Sequence, residues 1–324
     1  MRRRALLGAL LAVLGASAAR AGAAENYPSR PIHLIVPFTP GGPSDILARL
    51  IGAKLTDAWG QAVVIDNRGG ASGMIGTELT AKAAPDGYTL VISNAADAIN
   101  VSLYPKIPYD VLRDLQQVCV ISESPFLLVV NPSVPAHSLA ELVALARAHP
   151  GELGFASGGG VGVPSHMAGE MLKWRAKIDL IHIPFKGQGP ATEDVLAGHV
   201  PMMFTNTMNG LPFVRGGQLR ALAVSSAKRS AAAPDIPTVA ELGYPGFDVS
   251  IWFGLQAPAG TPRPIVDKIA GAVRQILEQP GVRATLALQG AEPVFEGPEA
   301  FAAHLRADIA KWAEVVKAAN IKLD

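Results

Sequence analysis

Short runs of apolar and β-branched residues alternate along most of this chain with longer segments whose apolar residues recur at helical spacing. Gly, Pro and Ser are frequent in the joints between them. Such alternation is typical of βα units, because two parallel strands must be connected by a crossover that is usually a helix. An α/β protein is therefore expected, with strands at 32–38, 62–66, 89–93, 126–130, 153–157, 180–184, 200–204, 219–225 and 249–256.

The length of the chain indicates two lobes, since 324 residues exceed the roughly 100 to 200 residues of one domain. No linker or internal repeat separates two halves, so the second lobe is expected as an insertion in the first. We expect residues 24–124 and 253–324 to form lobe 1 and residues 125–252 to form lobe 2. Each lobe is expected to have a mixed, mostly parallel sheet with helices on both faces. Strands that cross near 123–130 and 250–258 would form a hinge.

Residues 1–23 have the pattern of a secretory signal peptide. Three arginines at 2–4 precede an apolar stretch at 5–16, and small residues suited to cleavage follow at 19–23. The apolar stretch is too short for a bilayer-spanning helix, which needs about 20 residues. We expect a protein exported to the periplasm. An uncleaved membrane anchor stays an alternative, and the sequence does not distinguish Sec from twin-arginine export.

Composition and charge exclude several classes of protein. With 49% hydrophobic and 17% charged residues, the chain can bury a large core, which excludes a disordered or fibrous protein. Without the four arginines of the leader, 24 basic residues face 27 acidic ones, and a net charge of −3 lacks the basic surface of a nucleic-acid binder. Cys119 is the single cysteine and the seven histidines are dispersed. No disulfide, zinc knuckle, redox pair or cofactor is therefore expected.

Three strand-to-helix joints combine Gly, Pro and Ser with little side-chain bulk, at 38–45, 157–166 and 185–190. In an open α/β sheet such loops lie at the carboxyl ends of strands, where ligands bind. Exposed N–H groups and the positive end of the helix dipole favour an anion there. A carboxylate is favoured over a nucleotide phosphate, because the chain has neither a Walker loop nor the G-x-G-x-x-G spacing of dinucleotide sites. Each loop alone could also be an ordinary tight turn.

A catalytic interpretation rests on few residues. No G-x-S-x-G elbow is present, and Ser165 beside His166 lacks the spacing of a nucleophile and its base. Lys186 could supply a Schiff-base amine, but a lysine beside a loop glycine is more often a point charge or is solvated. A secreted hydrolase or lyase that uses Ser165 and His166, or Lys186, stays the alternative to a binding protein.

Six short stretches carry a more specific signal: YPSRP, VPFTPGG, APDGYTL, PFKG, LRALAV and APAGTP, at 27–31, 36–42, 84–90, 184–187, 219–224 and 257–262. In this order they resemble the periplasmic substrate-binding proteins of tripartite tricarboxylate transporters, also called the Bordetella uptake gene (Bug) family. The resemblance implies a two-lobed periplasmic binding protein of type II-like fold that closes on a small organic acid. It also implies delivery to the membrane subunits of a transporter. We expect a monomer, and a receptor that feeds a sensor kinase stays an alternative.

The candidate ligand-binding residues combine the loops with the resemblance, which implies that loop backbone and ordered water hold one carboxylate. In lobe 1 they are Phe38, Gly41, Gly42, Ser44, Asp45, Ser93 and Asn94. In lobe 2 they are Ser157, Gly158, Ser165, His166, Lys186 and Thr205. Asp45 could instead only cap its own helix, and His166 could be a structural histidine.

Two positions depart from the family pattern. Thr205 precedes Asn206 where an aspartate is common, and the loss of an acid there favours a ligand without an amine. Asp97 stands where a histidine is frequent, and a carboxylate could repel a second acidic group of the ligand or accept a hydrogen bond from it. The identity of the acid, and whether it has one or two carboxylates, therefore stays open.

Overall fold

The computed structural model describes residues 26–288 and 290–321, so the predicted signal peptide at 1–23 lies outside the described residues. Within those ranges, ten strands and ten α-helices alternate along the chain. The strands are β1 (Ile32–Val36), β2 (Val63–Asn67), β3 (Thr89–Asn94), β4 (Leu115–Val130), β5 (Gly154–Gly158), β6 (Ile181–Phe185), β7 (Met202–Asn206), β8 (Arg220–Val224), β9 (Ser250–Pro258) and β10 (Glu292–Glu296). The helices are α1 (Pro43–Trp59), α2 (Met74–Ala81), α3 (Ala96–Leu103), α4 (Leu139–Ala148), α5 (Pro164–Ala176), α6 (Gln188–Leu196), α7 (Thr207–Arg215), α8 (Arg263–Glu278), α9 (Pro280–Leu288) and α10 (Pro298–Ala318).

The strands form two sheets that share β4. In the first sheet the order is β2-β1-β3-β9-β4, and β10 also pairs with β4. In the second sheet β4 pairs with β7 and β8, and β7 is followed by β5 and β6. Parallel pairs join β1 to β2 and β3, and β5 to β6 and β7, whereas the pairs that involve β4 or β9 are antiparallel. The predicted two-lobed α/β fold with mixed sheets is confirmed.

The 16-residue strand β4 connects the lobes. Its residues 115–125 pair with β9, and its residues 126–130 pair with β7 and β8. The chain returns to the first lobe just before β9, where the Val249 amide donates to the Ser225 carbonyl and the Phe126 amide donates to the Ser225 hydroxyl. β9 pairs throughout within the first sheet. The division into 24–124 with 253–324 and 125–252 stays a prediction.

Helices cover the sheets through apolar stripes that the sequence shows. In α8 the buried residues Ile265, Ile269, Val273 and Ile276 recur at helical spacing. Strand β7 is buried along its whole length, as expected for a strand with helices on both faces. No helix in the described part of the chain is both long enough and apolar enough to cross a bilayer.

Two strand segments were not predicted, residues 115–122 of β4 and the short strand β10. Polar residues limit the apolar pattern in β4, because Gln116 and Gln117 precede the short apolar run 118–121 and Ser122 follows it. Gln117 is nevertheless buried, and its side-chain amide donates to the Val111 carbonyl across 3.1 Å. A local hydrogen bond thus lets a polar side chain enter the core.

Two pairs in the sequence, Ser138 with Glu141 and Thr238 with Glu241, have the spacing of a capping box and each predicts a helix start, but the second begins only a turn. Thr238 and Glu241 form both hydrogen bonds of a capping box, 2.9 and 3.0 Å long. The turn ends at Gly243, where φ is +104°, and Pro245 follows. These two residues stop the helix before it can propagate. The other capping residue, Ser138, does begin α4.

Candidate functional site

A cleft between the lobes receives the starts of five helices. The first lobe contributes α1 and the turn before α3, and the second contributes α5, α6 and α7. One part of this cleft, which we call the inner chamber, has a cavity volume of about 50 Å³. Its polar side chains are Thr39, Ser44, Asn94, Ser165, Gln188 and Asn206. Its apolar side chains are Phe38, Pro43, Phe126, Val163, Pro164, Ile251 and Phe253, and the glycines are Gly42, Gly158 and Gly187.

The inner chamber has no charged side chain among its lining residues, all of which lie in the described ranges. The first four N–H groups of a helix have no partner within the helix, and the helix dipole is positive at that end. Each helix start favours a negative group by about 0.3–1 kcal/mol at an exposed site and by more at a shielded one. The chamber is therefore suited to one small anion that is held by backbone dipoles.

A wider space with a cavity volume of about 840 Å³, the outer chamber, adjoins the inner one at Phe38 and Thr39. The first lobe lines it with residues 69–72 and Tyr104. The second lobe lines it with residues 159–161 and 184–186. Lys186 is the one charged side chain among the described residues that line it. An anionic group that extends outward from the inner chamber would meet a single cation here.

The structure brings together about half of the predicted ligand-binding residues. Those that line the inner chamber are Phe38, Gly42, Ser44, Asn94, Gly158 and Ser165. Lys186 lines the outer chamber. The remaining predicted residues line neither chamber: Gly41 is exposed, whereas the others are buried behind the walls, namely Asp45, Ser93, Ser157, His166 and Thr205.

Asp45 organises the loop before α1. Its buried carboxylate accepts hydrogen bonds from the Gly41 amide, Arg49 Nε and Asn67 Nδ2, at 2.9, 2.9 and 3.0 Å. Burial alone raises the pKa of the Asp45 carboxyl, but the hydrogen bonds from Arg49, Gly41 and Asn67 outweigh it, so the pKa lies below its ordinary value. Asp45 thus stays ionised and fixes the loop through the Gly41 amide, which precedes the helix, so a role of Asp45 in capping α1 stays a prediction.

His166 lies behind the loop that precedes α5. Its Nδ1 accepts a hydrogen bond from the Gly162 amide across 3.2 Å. Its ring lies 4.0 Å from the ring of His182, whose Nε2 is 2.6 Å from Ser157 Oγ. Burial, His182 and Lys173 lower the pKa of His166 to about 3, so the ring is neutral and acts as an acceptor.

The Ser165 and His166 side chains face different spaces. Ser165 lines the inner chamber, whereas His166 lines a separate cavity with Glu170 and Lys173. A nucleophile and its base must lie within hydrogen-bond reach of each other. The geometry therefore gives no support to the alternative of a Ser165–His166 catalytic pair.

Asp97 is buried in the first lobe and lines neither chamber. Thr77 Oγ1 lies 3.4 Å from its Oδ1, and its Oδ2 has no hydrogen-bond partner in the described part of the chain. Burial raises its pKa to about 7. Direct repulsion of a ligand carboxylate by Asp97, considered from the sequence, finds no support in this placement.

Several residues that line the inner chamber were not predicted. Asn206 follows β7 at the start of α7, where its Oδ1 accepts the Met208 amide across 2.9 Å, and its buried Nδ2 has no partner within the described ranges. Gln188 starts α6 and donates to the Thr205 hydroxyl across 2.9 Å. Asn206 and Gln188 each follow a strand at the start of a helix, so the strand-then-helix pattern of the sequence could have identified them. The apolar residues could not, because Phe126 depends on the pairing of β4 with β7, and Ile251 and Phe253 on the pairing of β4 with β9.

Comparisons with known proteins identify the family of this chain. Residues 47–321 match the family model described as tripartite tricarboxylate transporter family receptor. Protein BugT of Bordetella pertussis is 42% identical over 321 residues, which are 97% of this chain and 98% of BugT.

Two solved structures show the same fold. The structure of R. palustris Rpa4515 with adipate has a TM-score of 0.88 and 38% identity, over 91% of this chain and 99% of Rpa4515. The structure of the periplasmic binding protein BugD has a TM-score of 0.87 and 34% identity, over 91% of this chain and 99% of BugD. This chain therefore belongs to the family of tripartite tricarboxylate transporter receptors, as its six sequence stretches indicated.

Proposed function

We propose that this protein is an exported receptor that binds a small carboxylate between its lobes and delivers it to the membrane subunits of a tripartite tricarboxylate transporter. The observation that carries the proposal is the inner chamber, where helix starts from both lobes meet and no lining side chain is charged. Backbone N–H groups there can satisfy a carboxylate without an ion pair.

The proposed ligand has one carboxylate in the inner chamber and an apolar body. Phe126, Ile251 and Phe253 are buried side chains on one wall of that chamber, and Phe38 lies where the two chambers meet. Apolar walls favour a hydrocarbon body because its burial removes apolar area from water. Adipate, which is present in the structure of Rpa4515, has this character. A second carboxylate would extend toward Lys186 in the outer chamber.

The proposed direct contacts are backbone and side-chain groups at the helix starts. Gly42, Ser44 and Asn94 would serve from the first lobe, and Gly158 and Ser165 from the second. Gly41, Asp45, Ser157, His166 and Thr205 would hold these walls in place, and Ser93, whose hydroxyl donates to the Gly254 carbonyl across 3.3 Å, would do the same. Closure excludes water and so strengthens each hydrogen bond to the anion.

The proposed location is the periplasm. The leader pattern at 1–23 supports it, as does the similarity to the periplasmic binding protein BugD. Enzymatic activity is not part of the proposal, since the matched family is one of receptors and Ser165 and His166 face different spaces. A monomer is expected from the sequence.

Isothermal titration calorimetry with adipate and its neutral dimethyl ester tests the proposal. We expect saturable binding of adipate with one site per chain, and no binding of the ester, which keeps the body but lacks the charges. Mass spectrometry of the incubated mixture should recover adipate unchanged. Equal affinity for the two compounds would contradict an anion site, and conversion of adipate would favour the hydrolase or lyase alternative.

A further inference from the structure

The two lobes touch at the outer chamber through hydrogen bonds to one carbonyl oxygen. Val161, in the second-lobe loop before α5, supplies this oxygen. The Tyr104 hydroxyl at the end of α3 donates to it across 3.0 Å, and the Ser72 hydroxyl, in the 3₁₀ turn before α2, donates to it as well. Both donors belong to the first lobe. These hydrogen bonds therefore form only while the lobes are close together.

The donors are fixed from within the first lobe. Ser72 Oγ lies 3.1 Å from the Tyr104 hydroxyl, and Asn100 Nδ2 donates to the Ser72 carbonyl across 3.1 Å. The backbone at Ala71 and Ser72 is left-handed, with φ of 49° and 53°. Residues other than glycine adopt this conformation at a cost in free energy and keep it only where their surroundings impose it. The first lobe thus holds two hydroxyls in place at the cleft.

The acceptor is also fixed. The amide of Gly162, next to Val161, donates to His166 Nδ1 within the second lobe. At Gly162 φ is +85°, and a Cβ atom there would lie 2.7 Å from Leu103 Cδ2 of the first lobe. Glycine at position 162 therefore allows both the left-handed backbone conformation and the close approach of the lobes.

We propose that Ser72 and Tyr104 are positioning residues that latch the closed state through the Val161 carbonyl and so slow the release of ligand. The inference rests on the proposed function, because a latch matters only to a receptor that closes on its ligand. The three residues line the outer chamber, and none of them lines the inner chamber. Their contribution is thus separate from the proposed carboxylate contacts.

Stopped-flow measurement of adipate and succinate dissociation tests the latch. Because Tyr104→Phe removes one of the hydrogen bonds between the lobes, this variant should release both ligands about 5-fold faster. The double variant with Ser72→Ala should release them more than about 10-fold faster, while association rates stay within about 2-fold. Tyr88→Phe is the matched control, because its hydroxyl contacts Ser29 within the first lobe, and it should change neither rate.

Two outcomes would overturn the latch. Unchanged dissociation in the double variant would show that the hydrogen bonds do not hold the closed state. Acceleration for only one of the two ligands would show that the hydroxyls contact that ligand directly. The melting temperature of the ligand-free Tyr104→Phe variant should stay within about 1 °C of wild type, which separates a latch from a general structural role.

A ligand-independent readout separates failure of the latch from failure of the proposed function. Spin labels at exposed Lys82→Cys, directly after α2, and Glu193→Cys in α6 report the distance between lobes by pulsed electron paramagnetic resonance. The double variant should populate longer distances than wild type. If wild type binds neither adipate nor succinate, the proposed ligand class is wrong. The distance distributions of wild type and the double variant still test the latch in that case. Identical distributions would then overturn it.

Discussion

The Gln188 side-chain amide donates a hydrogen bond to the Thr205 hydroxyl across 2.9 Å, which joins the start of α6 to the end of β7. Thr205 is fully buried and lines neither chamber, whereas Gln188 lines the inner one. Thr205, which lies behind the wall of the inner chamber, thus fixes the position of Gln188, which is part of that wall. The same relationship holds between Asp45 and the loop before α1, and between His166 and the loop before α5.

Replacing Thr205 by Val tests this support at nearly constant volume. The Gln188 amide would lose its acceptor, and an unpaired buried donor costs about 1–3 kcal/mol. We expect adipate affinity to fall about 5-fold or more in calorimetry. Thr192→Val is the control, since the Thr192 hydroxyl donates only to the Gln188 carbonyl one turn earlier in α6. Equal affinities of the two variants would contradict the role of Thr205.

Glycine at position 187 is expected to be essential for closure. A Cβ atom there would lie 2.1 Å from Thr39 Oγ1, across the cleft between the lobes. Gly187→Ala should therefore weaken adipate binding by more than about 10-fold, because the closed lobes have no room for the methyl group. The neighbouring variant Gly189→Ala meets no atom within 4 Å and should bind as wild type does. Equal binding by both variants would show that the lobes do not approach as described.

The stability of the protein should depend on pH through Asp97. Burial raises its pKa from 3.8 to about 7, so between these values the unfolded chain has lost a proton that the folded chain keeps. The contribution of protonated Asp97 to stability is therefore fully present below about pH 4 and is lost as the pH rises to 7. Asp97→Asn should raise the free energy of unfolding by on the order of 2–4 kcal/mol at pH 8 and by little at pH 4. Urea unfolding at both pH values measures this, and an equal effect at both would contradict it.

His166 should give the opposite dependence. Its pKa is lowered from 6.5 to about 3, so below pH 6.5 the unfolded chain binds a proton that the folded chain does not. The contribution of neutral His166 to stability is therefore complete above pH 6.5 and is lost as the pH falls toward 3. His166→Asn keeps an acceptor for the Gly162 amide but cannot titrate. Between pH 7 and pH 5, wild type should lose about 2 kcal/mol more than this variant in urea unfolding. Parallel losses would contradict a neutral buried His166.

The sequence predicts the strand and helix pattern well, because that pattern is local. It also predicts the glycine-bearing loops at the helix starts, since the carboxyl ends of strands are fixed by chain direction. It cannot separate Ser165, which lines the inner chamber, from His166, which lines another cavity, because adjacent helix residues point about 100° apart. It also misses Phe126 and Phe253, since their place in the cleft depends on the pairing of β4 with β7 and β9, which are distant in sequence.

A crystal structure of the protein grown with adipate tests the central claim most directly. We expect one adipate carboxylate in the inner chamber, within hydrogen-bond distance of backbone N–H groups near Ser44 of α1 and Ser165 of α5. No charged side chain should contact that carboxylate. Adipate held only by Lys186 in the outer chamber, or bound to one lobe alone, would contradict the account.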